Sequence, residues 1–511
     1  MARRAGSISS TVVVKPRALD PAEHSGARNA TFRFRRLGDR VILTGELGDW
    51  MVVDAGQFED IVAGRIGPGD ALHEEMAGKG FLIEALDVEK AVERYRRRHS
   101  FVGRSTYLHI VVVTLRCNEA CAYCHASREP MSKKGADMSV ATAKRVVDMI
   151  FKSPSRQIAI EFQGGEPLAN FETLKFIVEY AEELNETERR DLQFFLVTNL
   201  SLMDEKKLGF LLDHDVLMCT SLDGPAGLHD AFRKLRGGSA HAEAVGWIQR
   251  IGEKYRRKGL DPDLWHVDAL LTTTQGHFGH AHEIVDEYVR LGIKTIHIRA
   301  LNPMGFASKT WKKVGYTAEE FLSFWREALD YIIQLNLDGV EIIERGAALF
   351  LARILTDEDH GYVDLRSPCG AGIGQIAYDQ DGKIYTCDEG RMVARMGDEI
   401  FMVGDVDGST YPEVIAHECV RAIGISSCLE SLPGCRDCAY MPYCGVCPVY
   451  NYVSQGDFFG QRPTNERCKM NMFALDHLFD ILSKGDENVR RVLERWTIQK
   501  PRSKGKEELG R

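Results

Sequence analysis

Three cysteines, Cys117, Cys121 and Cys124, fall within eight residues, in the segment Leu115-Arg-Cys-Asn-Glu-Ala-Cys-Ala-Tyr-Cys-His125. Three thiolates on one tight loop can hold three irons of a [4Fe–4S] cubane and leave the fourth iron open, whereas four would close the cluster into an electron carrier. An open iron can bind a cofactor or a substrate. Zinc is the alternative occupant: it favours Cys-x2-Cys pairs with a fourth ligand, and His125 could supply one.

A second group lies far downstream, as Cys435-x2-Cys438-x5-Cys444-x2-Cys447. Cys369 and Cys387 precede it and Cys468 follows it, while Cys219, Cys419 and Cys428 stand apart. Taken alone, the two Cys-x2-Cys pairs would also suit a zinc ribbon. Cys219, on an expected strand, reads as a small core residue. The start, MARRAGSISS, lacks the apolar stretch of a secretory signal, and no run of eighteen apolar residues offers a membrane span. The expected location is therefore the cytoplasm, where disulfides are rare, so metal is the first use to consider for the 13 cysteines.

The bulk numbers exclude other classes. A formal net charge of −9 over 511 residues gives no basic footprint for nucleic acid or for a membrane surface. With 44% apolar and 27% charged residues, the chain has the composition of an ordinary globular protein.

The elements that must position the first cysteines alternate. Strands are expected at 107–114, 157–162, 192–198, 215–222, 264–273 and 294–301, with helical spacing between them. One helix carries Val146, Val147, Met149 and Ile150 after an N-cap at Ser139; another carries Leu174, Ile177, Val178 and Ala181. Six β-α units in a row predict a parallel sheet, and the simplest closure is an α/β partial (β/α)6 barrel of the TIM type, with chemistry at the C-terminal strand ends. That barrel is assigned to 104–335. Before it, 1–30 is polar and expected to be disordered. Residues 31–98 form a small winged-helix-like β/α module of three short strands and helices near 56–64, 69–79 and 87–98. The last helix ends in Arg96-Arg97-Arg98, read as a solvated face. A helical bridge is expected at 336–365, and a Cys-, Gly- and Pro-rich domain held by metal at 366–470. A helical segment at 471–498 and a disordered tail at 499–511 complete the chain.

Several short motifs fall at the expected strand ends. Gln163-Gly164-Gly165-Glu166-Pro167 ends the second strand and Thr198-Asn199 the third. Ser221-Leu-Asp223-Gly-Pro ends the fourth, followed by His229-Asp230 and Arg233. Arg299 ends the sixth, before Asn302-Pro-Met-Gly305. Each is also an ordinary turn former. His109, His266 and His297 lie within strands and read as buried or lining residues.

A three-cysteine loop of this spacing with an aromatic residue before the last cysteine, set after the first barrel strand, resembles the radical S-adenosylmethionine (SAM) superfamily. The resemblance implies a [4Fe–4S] cluster on Cys117, Cys121 and Cys124 whose open iron chelates SAM, and cleavage of SAM to a 5′-deoxyadenosyl radical. Tyr123 would stand by the adenine. Gly164, Gly165 and Glu166 would lie along the methionine moiety, with Glu166 accepting from the ammonium group. Thr198, Asn199 and Asp223 match further positions of the SAM site, Ser221 would lie near the ribose, and Arg233 would meet the carboxylate. Arg299 is placed in the same site.

The downstream cysteines resemble the SPASM domain of radical SAM maturases. The family places three residues between its counterparts of Cys444 and Cys447, where this chain has two. The resemblance implies two auxiliary [4Fe–4S] clusters, one on Cys435, Cys438, Cys444 and Cys468 and one on Cys369, Cys387 and Cys447. The fourth ligand of the latter is left between Cys419, Cys428 and an open iron. Asp388 matches a proton-accepting position of sulfatase-maturing relatives, and an exposed turn aspartate is the plain alternative. The order of module, cluster and Tyr-Cys-Gly-Val-Cys-Pro segment looks most like the His-Xaa-Ser system radical SAM maturases. That implies a precursor peptide or protein substrate, a reductant such as a flavodoxin or ferredoxin, and a second radical SAM protein. The rivals are an anaerobic sulfatase-maturating enzyme and, from another class, a multi-cluster electron-transfer or zinc-scaffold protein.

Overall fold

The computed structural model describes residues 29–359 and 361–498. Apart from Asn29 and Ala30, the segments expected to be disordered, 1–30 and 499–511, lie outside the described residues. The chain divides into two compact units, 1–91 and 92–511.

The first unit is built on three short antiparallel strands, β1 (Phe32–Leu37), β2 (Arg40–Gly45) and β3 (Trp50–Asp54), paired in that order. Gly38 takes a positive φ of 62° in the turn between β1 and β2, a conformation glycine adopts without a Cβ penalty. Helices Ala55–Val62 and Ala71–Gly78 follow. The first starts with a capping box, Asp54 and Gln57 each bonding the other's backbone N–H. Val41, Leu43, Met51 and Val53 on one sheet face pack with Phe58, Ile61, Leu72, Met76 and Phe81.

The second unit holds the expected parallel sheet. Its strands are β4 (Leu108–Thr114), β7 (Gln157–Gly164), β8 (Asp191–Thr198), β9 (Leu217–Ser221), β10 (Asp268–Thr272) and β11 (Thr295–Arg299). Each pairs in parallel with the next. Two-residue strands β5 (Arg116–Cys117) and β6 (Glu129–Pro130) frame the first cysteine loop. The helices expected between the strands are present. Ser139 caps Val140–Ile150 through a bond from the Thr142 N–H, and Leu174, Ile177, Val178 and Ala181 are the buried stripe of Phe171–Glu188.

The sheet does not stop at six strands. A short β12 (Ile343–Glu344) adds to β11. On the other edge β13 (Gln375–Tyr378) pairs in parallel with β4, and β14 (Lys383–Tyr385) and β15 (Met402–Asp405) continue it antiparallel. The cysteine-rich region therefore contributes three strands to the same ten-stranded sheet.

The strands alternate between two environments. Ile158, Ile160 and Phe162, Met218 and Thr220, and Ile296 and Ile298 are fully buried. Glu161 and Gln163, Cys219 and Ser221, and His297 and Arg299 between them are only half-buried. β7 and β11 are separated by three strands, yet Glu161 and Arg299 interact electrostatically. The sheet must curl to bring them into reach, so the half-buried face lines a polar lumen.

The arginine-rich helix Val88–Arg98 shows the expected solvated face at Arg96 and Arg97 but not at Arg98. Arg98 is buried and donates to the Arg353 carbonyl at 2.7 Å, and Arg94 grips Asp357 through two nitrogens at 2.9 and 3.1 Å. Three arginines, Arg94, Arg97 and Arg98, share that one carboxylate.

Candidate active site

The cysteine loop leaves the C-terminal end of β4 and is pinned from several sides. The Glu119 N–H points at the Cys117 sulfur at 3.4 Å, and the Cys124 N–H returns to the Cys121 carbonyl. The three thiols lie close enough to act on one another electrostatically. Burial pushes the Cys117 thiol up to about 12, with Glu166 adding to it. A ligated thiol must lose its proton, and only a strongly Lewis-acidic partner would stabilise the thiolate in this dry setting.

Among the described residues no three His, Cys, Asp or Glu side chains gather around a single ion. A cubane asks for wider spacing, because each thiolate caps a different iron. The His125 Nε2, one of the two nitrogens a zinc ligand could use, is taken: it accepts from the Asn302 N–H at 3.3 Å. The donor set on the loop thus fits a cluster with one open iron.

Gly164 and Gly165 have an immediate reason to be glycine. A Cβ on Gly164, which has φ +138°, would fall 2.2 Å from the Thr114 carbonyl oxygen, and one on Gly165 would fall 2.3 Å from that of Arg116. The backbone bonds Gly165 N–H to Thr114 O and Glu166 N–H to Arg116 O draw the two segments together. Glycines expected to admit a ligand here admit the root of the cysteine loop itself.

Glu166 is fully buried. Its carboxylate accepts from Leu168 N–H at 3.0 Å, Thr198 Oγ1 at 2.7 Å and Asn199 N–H at 2.8 Å. Burial pushes it up to about 7 against those three donors. It therefore ties the end of β7 to the end of β8. Asn199, so fixed, directs its Nδ2 to Asn118 Oδ1 at 3.2 Å and toward the Cys117 sulfur at 3.9 Å.

Tyr123, Asp223 and Arg233 come together as one buried network. The Tyr123 hydroxyl donates to Asp223 Oδ2, and the same oxygen accepts from Arg233 Nε at 3.0 Å. The guanidinium stands over the Tyr123 ring, 5.4 Å from its centroid. Its other partner is Glu119, at 3.2 Å. Arg233, expected to meet a ligand carboxylate, already holds two carboxylates of the protein. Glu119 is the partner missed from the sequence; its position inside the cysteine loop was the available signal. His229 supports the network from below, its Nδ1 accepting the Asp223 N–H while burial draws the ring down to about 4.

Ser221 and Arg299 stand on the lumen-facing side of β9 and β11. Arg299 reaches Glu389 at 3.4 Å. Asp388 does not present a free carboxylate: it is buried and bonded to the fully buried Arg391 at 2.9 Å. Burial and a place in the first turn of helix Asp388–Ala394 correct the exposed-turn alternative for Asp388. Its neighbour Glu389 is the carboxylate turned toward Arg299, pushed up to about 7 by burial and by Asp364. His109 is a buried strand residue bonded to Tyr378, and His297 faces the lumen.

The downstream cysteines separate into two groups. Cys435, Cys438 and Cys444 act electrostatically on Cys468. Cys369, Cys387 and Cys447 act on one another. Cys219 lies half-buried on the lumen side of β9.

Residues 111–271, which hold the three-thiol loop and the Gly-Gly-Glu-Pro turn of this curled parallel sheet, match the Radical SAM superfamily. Among curated relatives, an uncharacterized protein of Methanocaldococcus jannaschii is 29% identical over 38% of this chain and 62% of its own length, so the alignment spans less than two thirds of that relative. A cysteine-type anaerobic sulfatase-maturating enzyme of Clostridium perfringens is 23% identical over 53% of this chain and 71% of its own. Among solved structures, Streptococcus suis SuiB bound to precursor peptide SuiA shares the fold with a TM-score of 0.52 at 14% identity, covering 86% of this chain and all of SuiB. The cofactors the superfamily implies, SAM and a [4Fe–4S] cluster, suit the donors described above. Among the described residues, no helix is long and apolar enough to cross a membrane.

Proposed function

We propose that this chain is a radical SAM maturase of the SPASM type that modifies a ribosomally made peptide or protein, oxidising the substrate radical to a cross-link or similar bond. The observation that carries the reading is the arrangement of three cysteine groups: a three-thiol loop at the mouth of a polar lumen, and two further groups on the loops, helix starts and C-terminal helix of the region that extends the same sheet. Cluster and SAM together supply a 5′-deoxyadenosyl radical. The chain's own part is positioning. Glu166 and Asn199 fix the loop from one side and the Glu119–Arg233–Asp223–Tyr123 network from the other, while Glu161, Gln163, His297 and Arg299 offer polar contacts along the lumen.

A peptide substrate is supported by the bound precursor peptide of SuiB. The three-stranded sheet of the first unit presents two edge strands, β1 and β3, on which a peptide strand could pair. The reading further includes a His-Xaa-Ser-type precursor, a flavodoxin or ferredoxin as reductant and a second radical SAM protein as partner. Formylglycine formation on a sulfatase is the second reading, favoured by the sulfatase-maturating relatives.

The test is anaerobic reconstitution with iron and sulfide, then dithionite and SAM, reading 5′-deoxyadenosine. Wild type should form it and a Cys117→Ala/Cys121→Ala/Cys124→Ala variant should not. No product from a fully loaded wild type, with and without candidate peptides, would sink the proposal. Mass loss of two hydrogens from a repeat-bearing peptide, against conversion of a sulfatase Cys or Ser, separates the two readings.

A further inference from the structure

Cys369, Cys387 and Cys447 form a group of three, and neither remaining cysteine completes it. The Cys428 thiol donates to Glu430 Oε2 at 3.4 Å, and the charge that acts on Cys419 is that of its neighbour Glu418. What stands beside the group is a short turn, Val363–Leu365.

Two glycines hold that turn in place. A Cβ on Gly370, next to Cys369, would fall 2.7 Å from Val363 Cγ1. One on Gly445, two residues before Cys447, would fall 2.0 Å from the Asp364 carbonyl oxygen. The turn is thus wedged between the segments that carry Cys369 and Cys447. The third segment joins through the Gly372 N–H, which donates to the carbonyl of Thr386, immediately before Cys387. Asp364 sits between the first two of these segments. Its carboxylate acts on the thiols of both Cys369 and Cys447. One oxygen, Oδ2, accepts from Arg467 at 2.9 Å. Glu389, the other nearby carboxylate, acts on all three thiols and has one oxygen, Oε1, drawn to Arg299 at 3.4 Å.

We infer that the first auxiliary cluster is held by Cys369, Cys387, Cys447 and the carboxylate of Asp364, with Arg467 orienting that carboxylate. The inference rests on the SPASM-type reading above. A carboxylate oxygen is a competent ligand for iron, and one iron with an oxygen donor differs electronically from three with thiolates.

The test uses the full chain carrying Cys117→Ala/Cys121→Ala/Cys124→Ala, so that only auxiliary clusters remain, labelled with carboxylate-13C aspartate and reduced. Iron should stand at two cubanes, about eight per chain. Pulsed electron–nuclear double resonance should show a 13C coupling that Asp364→Ala removes and that Cys419→Ala and Cys428→Ala leave intact. Should Asp364→Ala not retain the cubane, Asp364→Cys supplies a thiolate, and loss of the coupling with retained iron supports the assignment equally. Two cubanes without a 13C coupling, or a spectrum altered by Cys419→Ala or Cys428→Ala, would overturn the ligand assignment and leave the SPASM-type reading standing. A chain that takes up no auxiliary iron would overturn that reading, and this inference with it.

Discussion

Glu119 and Arg233, 114 residues apart in sequence, form a buried ion pair at 3.2 Å, and the arginine reaches Asp223 with its remaining side at 3.0 Å. One cation serves two buried anions, one inside the cysteine loop and one at the end of β9. Breaking a buried pair from one side leaves uncompensated charge and costs about 3–5 kcal/mol. Arg233→Met should therefore lower the urea midpoint sharply and reduce iron retention. Asp223→Asn added to that variant should recover part of the loss, since one stranded charge disappears. An unchanged midpoint in Arg233→Met would show that the pair contributes nothing.

Glu166 predicts a pH dependence. Its folded value, about 7, lies above the usual 4.5, so the neutral form is the one the fold favours. The contribution is full below pH 4.5 and is lost as pH rises through about 7, amounting to about 3 kcal/mol. Cluster-free protein followed by denaturant titration should lose stability across that window. Glu166→Gln should flatten the slope, and a slope that survives in the variant would assign it to other groups.

The close approach at the root of the loop predicts opposite effects for two glycines. Gly165→Ala forces a methyl into carbonyl oxygens 2.3 and 2.5 Å away and should displace the loop, costing about 2–3 kcal/mol and most of the bound iron. Gly209 lies inside helix Glu205–Asp213, where an added Cβ meets nothing within 4 Å. Gly209→Ala should stabilise by about 0.5–1 kcal/mol with iron content unchanged. Equal behaviour of the two in thermal unfolding would refute the argument.

Asp357 is shared by Arg94, Arg97 and Arg98, and Arg98 is buried. Asp357→Asn should cost about 1–2 kcal/mol, because the buried guanidinium loses its bond to a charged partner. Arg97→Ala, more exposed and 3.8 Å from the carboxylate, should cost about 0–1 kcal/mol. Thermal unfolding of both variants gives the comparison.

The six central strands were legible because each alternates or runs apolar between clear helical stripes, as Ile158-Ala-Ile160-Glu-Phe162 does. The cysteine groups were legible because spacing carries their chemistry. What could not be read was set by distance along the chain. Nothing local to Glu119 announces Arg233, and nothing near Gln375 announces that its strand will pair with β4. Asp388 shows a different limit: Arg391 lies only one helical turn on, but its burial, which makes the pair, depends on distant packing. In the arginine-rich helix the solvated face was legible at Arg96 and Arg97, but the burial of Arg98 beside a distant carboxylate has the same local pattern.

The pairing of β13 with β4 joins Leu108–Val111 to Gln375–Tyr378. A ribosome that has released the cysteine loop must translate some two hundred and fifty further residues before the neighbour of β4 exists. Until then that strand keeps one hydrogen-bonding edge bare, the kind of edge that recruits other chains. Chains truncated before Gln375 should therefore emerge prone to aggregation.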